Sequence, residues 1–166
     1  LLTSLGLCSL AQANQLTLEG DLTVEGDTVL EESLTVLGND GVVFKGTFGQ
    51  GSIPYEGTGP RMMWYPGKVA FRVGGVSASA WNDSDVGEYS TAWGAGIASG
   101  ARSTAWGGHT AATGYYSTAW GSVAYATGNY STAWGDFSNA TGGLSTAWGG
   151  FASASGSQST AWGEWT

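Results

Sequence analysis

The chain contains one histidine, His109, and one cysteine, Cys8. A protein zinc site gathers three or four His, Cys or carboxylate ligands, and a nucleophilic Ser or Thr needs a partnered base. No spacing in this sequence supplies either arrangement. His109 falls where later repeats carry Val123, Phe137 and Phe151, so it reads as a structural filler at a turn. The Gly-rich stretches lack the strand–glycine–helix context of a phosphate loop. Neither catalysis nor a cofactor is expected. One acidic pattern stands apart: Glu19, Glu25 and Glu31 recur every six residues, as do Asp21 and Asp27. Hard cations such as calcium take carboxylate oxygens, which makes Glu19, Asp21, Glu25 and Asp27 weak metal candidates. The favoured reading is a solvated acidic face that discourages edge-to-edge pairing.

The residues with regular spacing are aromatic. Ser-Thr-Ala-Trp-Gly occurs six times, with tryptophan at 93, 106, 120, 134, 148 and 162, an interval of 13 residues and then four of 14. Each Trp is followed by a second signal, clearest at Ala126-Thr127-Gly128, Ala140-Thr141-Gly142 and Ala154-Ser155-Gly156. Self-similarity at a fixed period marks a repeat architecture. Fourteen residues are too few for a helix pair and suit one coil of a β-solenoid. The expected fold is therefore all-β: a parallel β-solenoid or β-roll of 14-residue coils, each with two strands of about five residues and two tight glycine-containing turns.

Strand alternation assigns the faces. Ala92, Ala105, Ala119, Ala133, Ala147 and Ala161 point into the roll with the neighbouring serines, because only small side chains let two short strands lie close. Trp93, Trp106, Trp120, Trp134, Trp148 and Trp162 then point outward, together with Thr91, Thr104, Thr118, Thr132, Thr146 and Thr160. In the second strand Ala124 and Ala126 share the inner face and Tyr125 opposes them. Six indoles of about 150–250 Å² each present on the order of 1,000 Å², more than soluble monomers leave contiguous. The Trp/Thr face is expected to be an oligomer interface, and the simplest cover is another copy of the chain.

The pattern Ser-x-Ala-x-Gly, four residues, Ala-x-Gly resembles the head repeat of trimeric autotransporter adhesins, the YadA-like family. The resemblance covers Ser90 to Gly163 and implies a left-handed parallel β-roll, three of which associate around an axis. It also implies that Thr118 and Trp120 face that axis, where the family carries Val and Ile. The bulkier Trp is a departure from the family pattern.

Composition sets further bounds. The 166 residues include 29 Gly and 3 Pro, and the net charge is -8. An acidic chain is a poor partner for nucleic acid, and the abundance of Trp argues against disorder. Eight of the thirteen carboxylates precede residue 60, so the roll is nearly uncharged. Residues 1–13 form an apolar run closing on Ala-Gln-Ala, the signature of a secretory signal tail cleaved after Ala13, or else a hydrophobic assembly strand. In the first case Cys8 leaves with it. No segment is long enough to span a membrane as a helix.

Residues 14–40 repeat every six, from Leu16-Thr-Leu-Glu-Gly-Asp to Leu34-Thr-Val-Leu-Gly-Asn. They read as β-helical and resemble stalk segments, made either by one chain or by three winding together. Residues 41–74 are a connector: a Gly-rich loop or short strand, then a hairpin around Pro66-Gly67 as a type II turn. Its Arg61, Lys68 and Arg72 serve solubility or meet an acidic stalk. The roll occupies 75–166, with 75–89 as a divergent entry coil. No far-end cap is evident, and neither is the membrane-anchor barrel of the resembled family. That leaves two readings, a piece of a longer adhesin or an open end receiving the next subunit head-to-tail.

These features lead to the expectation of a secreted or cell-surface, non-catalytic fibre or adhesin subunit that assembles with itself, as a homotrimer or a filament, and contacts a host or environmental surface. One alternative is a carbohydrate-binding module using the Trp ladder. The other is an ice-binding surface using the Thr array.

Overall fold

The computed structural model describes residues 42–77 and 80–166. The apolar segment 1–13, the six-residue repeats of 14–40 and the carboxylates Glu19, Asp21, Glu25 and Asp27 lie outside the described residues.

The described chain is all-β, and its only helical pieces are single 3-10 turns at Pro66–Lys68 and Asp83–Asp85. Strands β1 (Gly59–Tyr65) and β2 (Ala70–Val76) form an antiparallel hairpin, with Trp64 opposite Phe71 and Met62 opposite Val73. The connection differs from the expected type II turn. Pro66 starts a 3-10 turn, and Val69 reverses the chain at φ 50, donating its N–H to Pro66 O at 3.0 Å.

The solenoid follows. β3 (Thr91–Gly94) and β4 (Ile97–Ala98) make one coil, then β5 (Thr104–Gly108) and β6 (Ala111–Ala112) the next. The pattern repeats with β7 (Thr118–Ser122) and β8 (Tyr125–Ala126), β9 (Thr132–Asp136) and β10 (Asn139–Ala140), and β11 (Thr146–Gly150) and β12 (Ser153–Ala154). β13 (Thr160–Glu164) adds a further long strand. The long strands stack in parallel with β2, and β1 joins antiparallel at the edge to complete an eight-stranded sheet; the short strands form a second, five-stranded parallel sheet. Each coil thus pairs a strand of four or five residues with one of only two, not two of five as expected. From the second coil on, two non-glycine residues per coil take the left-handed conformation at the corners, for example Tyr116 at φ 54 and Val123 at φ 55, and these corners consume the length.

Register is in phase throughout: Ala119 pairs with Ala105 and Ala133, and Trp120 with Trp106 and Trp134. Between the sheets lies a narrow interior in which Ala92, Ala105, Ala119, Ala133 and Ala147 have no exposed surface and Ala161 is partly exposed. The two-residue strands contribute Ala98, Ala112, Ala126 and Ala140, all fully buried. The repeat serines close one corner: Ser117, Ser131 and Ser145 donate Oγ–H to Gly114 O, Gly128 O and Gly142 O at 2.6–2.7 Å. Gly114 O and Gly128 O also accept the backbone N–H of the same serine, at 3.2 and 3.3 Å, so the buried hydroxyl finds its partner at a carbonyl the turn already engages.

The glycines are explained by packing. A Cβ on Gly121 would collide with Gly135 O of the next coil, and one on Gly114 would collide with Gly128 O. Successive coils approach backbone to backbone at both positions. The glycine of Trp-Gly and that of Ala-x-Gly are therefore demanded by stacking itself.

The first rung is the hairpin, since β2 pairs in parallel with β3 and sets Phe71 beside Thr91, Arg72 beside Ala92 and Val73 beside Trp93. Arg72 occupies the inward position that alanine holds later and is fully buried, so it neither solubilises the hairpin nor reaches a stalk. Its Nη1 donates to Phe71 O and Ser90 O at 2.9 Å, and its Nη2 to Ser90 Oγ at 2.7 Å and Ala98 O at 2.9 Å. Trp81, also fully buried, donates Nε1–H to Gly96 O at 2.7 Å. Together they plug the mouth of the solenoid, which alanines are too small to seal. The other two hairpin cations are also engaged: Arg61 Nη1 donates to Gly57 O at 3.0 Å, and Lys68 Nζ lies 3.1 Å from Asp83 Oδ1.

Candidate functional site

The outward face of the eight-stranded sheet is built by three consequences of the repeat: period-two alternation, in-phase stacking, and an interior that beyond its plugged mouth holds only small residues, Ala, Ser and Thr110. Every coil must put Thr and Trp outside. The threonines from Thr91 to Thr160 align as one column and the tryptophans from Trp93 to Trp162 as a second. Trp93, Trp106, Trp120 and Trp162 are 45%, 58%, 43% and 64% exposed, while Trp134 and Trp148 are half-buried.

That difference comes from the rings sheltering one another. Trp134 stacks between Trp120 and Trp148 at centroid separations of 5.1 and 5.0 Å with interplanar angles of 9° and 3°, and Trp162 follows at 5.5 Å and 15°. At the other end the ladder loosens. Trp93 and Trp106 are tilted by 51° at 5.8 Å, and shallow clefts of about 300 and 260 Å³ open on either side of Trp106, floored by Thr104 and its neighbours. Ring-on-ring stacking leaves about 600 Å² of indole exposed, taking roughly 100 Å² for each half-covered ring, rather than the 1,000 Å² expected from six isolated rings.

Two extensions restore the area. Phe137 stacks on Phe151 at 4.9 Å and Phe151 on Trp165 at 4.3 Å, a second ladder along the adjoining corner. The Trp column also continues into the hairpin through Val73 and Met62, the latter 67% exposed. Phe71 and Trp64 likewise extend the Thr column beside a groove lined by Val43, Phe44 and Met62. One apolar column therefore crosses all eight strands, about 34 Å at the usual strand spacing of about 4.8 Å. The sequence carried both signals: an aromatic three residues after Trp134, Trp148 and Trp162, and Phe71-Arg-Val-Gly74 in the phase of Thr-Ala-Trp-Gly. Charge on this face is sparse: Lys45 lines the groove beside Phe71 and Trp64, and Asp136 and Glu164 lie at the border beside Gly150.

No family model, curated protein or solved structure matches this chain. The architecture itself, a parallel β-solenoid of about five turns, is compatible with a β-roll. His109 sits exposed at a left-handed corner, φ 55, at the head of the column Val123, Phe137, Phe151. Among the described residues no three His, Cys, Asp or Glu side chains gather as a metal site, and no helix is long and apolar enough to cross a membrane.

Proposed function

We propose that this chain is a non-catalytic structural subunit of an extracellular fibre or adhesin, and that it associates with copies of itself through the Trp/Thr face. The observation that carries the reading is the uninterrupted apolar column from Met62 to Trp162 on a sheet with almost no charge. Contiguous apolar patches beyond a few hundred Å² mark association sites, and a stable interface takes about 800 Å² from each partner. The indole ladder, the Phe137–Phe151–Trp165 ladder and the hairpin together reach that size. A trimer around a common axis, the arrangement of the resembled adhesin heads, shelters the face on every copy.

Lateral association fits better than coil-on-coil stacking at the entry end. There β1 runs antiparallel to β2, and Arg72 and Trp81 fill the interior, so parallel coils do not continue in register past the hairpin. The sugar-binding alternative is weakened by the stacking, because both faces of Trp134 and Trp148 are already covered by neighbouring indoles. A flat hydroxyl array for ice is weakened by the indole column that runs beside the threonines.

Tryptophan emission tests the proposal. An assembled face gives blue-shifted, acrylamide-resistant emission that moves to the red on dilution. Emission of solvent-exposed indoles at every concentration, with quenching by added soluble polysaccharide, overturns it in favour of sugar binding.

A further inference from the structure

The corner opposite the phenylalanine ladder carries tyrosines that neither the interior nor the Trp face uses. Tyr115, Tyr116 and Tyr130 are 37%, 45% and 53% exposed. Tyr116 and Tyr130, one coil apart, stack at 5.4 Å with their planes 7° from parallel, whereas Tyr115 meets Tyr116 and Tyr130 edge-on at 4.5 and 5.7 Å. Tyr116 and Tyr130 hold left-handed backbone at φ 54 and 59, a conformation that is unfavourable for an L-residue and that Gly or Asn adopts more readily. The same corner accepts Leu144 and Gln158 in later coils, so the fold does not require an aromatic ring there. The Arg102 guanidinium lies 5.3 Å from the Tyr116 ring, and its Nη1 donates to Tyr115 Oη at 3.1 Å, which steadies the cluster.

We propose that Tyr116 and Tyr130 form an oxidative cross-linking site, at which hydrogen peroxide acting through a haem peroxidase joins neighbouring coils by a dityrosine bond. Each phenol gives one electron and its hydroxyl proton to the oxidised haem. The two phenoxyl radicals couple through a carbon–carbon bond between ring positions ortho to the oxygens. The hydrogens on those carbons then move to the oxygens and restore both phenols. Peroxide is reduced to two waters, and the protein loses two hydrogens. The product staples two coils outside the self-association face, so it does not depend on the assembly proposed above.

The test treats the full chain with hydrogen peroxide and horseradish peroxidase. Arg102 is the last basic residue, so trypsin releases Ser103–Thr166 with all the relevant tyrosines. The expected result is dityrosine fluorescence together with that peptide lighter by two hydrogens, its bond mapped by tandem mass spectrometry to Tyr116 and Tyr130. Tyr116→Phe and Tyr130→Phe, which keep the stacked ring, each lose the product, while Tyr125→Phe on the other sheet retains it. A bond mapped to Tyr115 or Tyr125 in place of the Tyr116–Tyr130 bond, products formed only between chains, or an undiminished yield in Tyr130→Phe would overturn the assignment.

Discussion

Arg72 Nη2 donates to Ser90 Oγ at 2.7 Å from inside the first coil, where every later coil has alanine. Burial pushes the Arg72 guanidinium down to about 10, which leaves it charged at neutral pH. An alanine-lined tube has little apolar area with which to close its own end, and the guanidinium closes it by collecting carbonyls. Arg72→Ala strips partners from Ser90 and Ala98 and opens a cavity, with an expected loss of about 3 kcal/mol. Arg72→Met keeps the volume and loses less. Urea unfolding of both variants measures the difference; equal losses would show that the polar contacts, not the volume, close the tube.

The pentapeptide glycine is the most demanding position of the coil. Gly121→Ala sets a Cβ against Gly135 O and strains a backbone at φ 118, costing about 3 kcal/mol or more from strain plus overpacking. Gly108 has open space around its Cβ position, and Gly108→Ala is expected to be neutral within about 0.5 kcal/mol. Thermal melts of the pair check the contrast, which would fail if both variants melted alike.

Left-handed corners offer a gain in stability. Val123 is β-branched yet sits at φ 55, a poor match of residue to conformation. Val123→Asn should stabilise the coil by about 1 kcal/mol, read as a higher urea midpoint with unchanged slope. A lower midpoint would mean that packing of the Val123 side chain outweighs its strain.

Much of this architecture is legible in the chain because each coil repeats the same few constraints. Period and alternation place Ala119 inside and Trp120 outside before any contact is known, and the repeated glycines mark the turns, although only the stacked coils show that Gly114 and Gly121 lie where backbones touch. What escaped that reading depends on single, unrepeated residues. Arg72 looks like a surface cation in a hairpin, and only the register of β2 against β3 turns it inward. The left-handed corners escaped as well, because Tyr116, Val123 and Phe137 are residues that local preference assigns to strands. The indole face was legible as a place. Its halved exposure was not, since that follows from how Trp134 lies between Trp120 and Trp148.

Acid should loosen the hairpin before the solenoid. The Tyr65 hydroxyl donates to Asp83 Oδ1 at 2.9 Å, and with Lys68 it lowers the Asp83 carboxyl below its ordinary 3.8. A depressed carboxylate stabilises the fold above its unfolded value and loses that contribution as pH falls through the folded one. Stability should therefore decline below about pH 4 in the parent chain. Asp83→Asn should be less stable at neutral pH and converge with the parent in acid. Parallel pH profiles of the two would contradict this.

Self-association of the indole face is measured most directly by sedimentation equilibrium of the full 17.0 kDa chain against a Trp134→Ser, Trp148→Ser double variant. The interior alanines and both glycine stacks are untouched by these changes, so the variant retains the β-solenoid circular dichroism of the parent. The parent should sediment at several times the mass of one chain, with three copies the expected number, and the variant as a monomer. A folded parent that sediments at 17.0 kDa across the concentration range would contradict self-association.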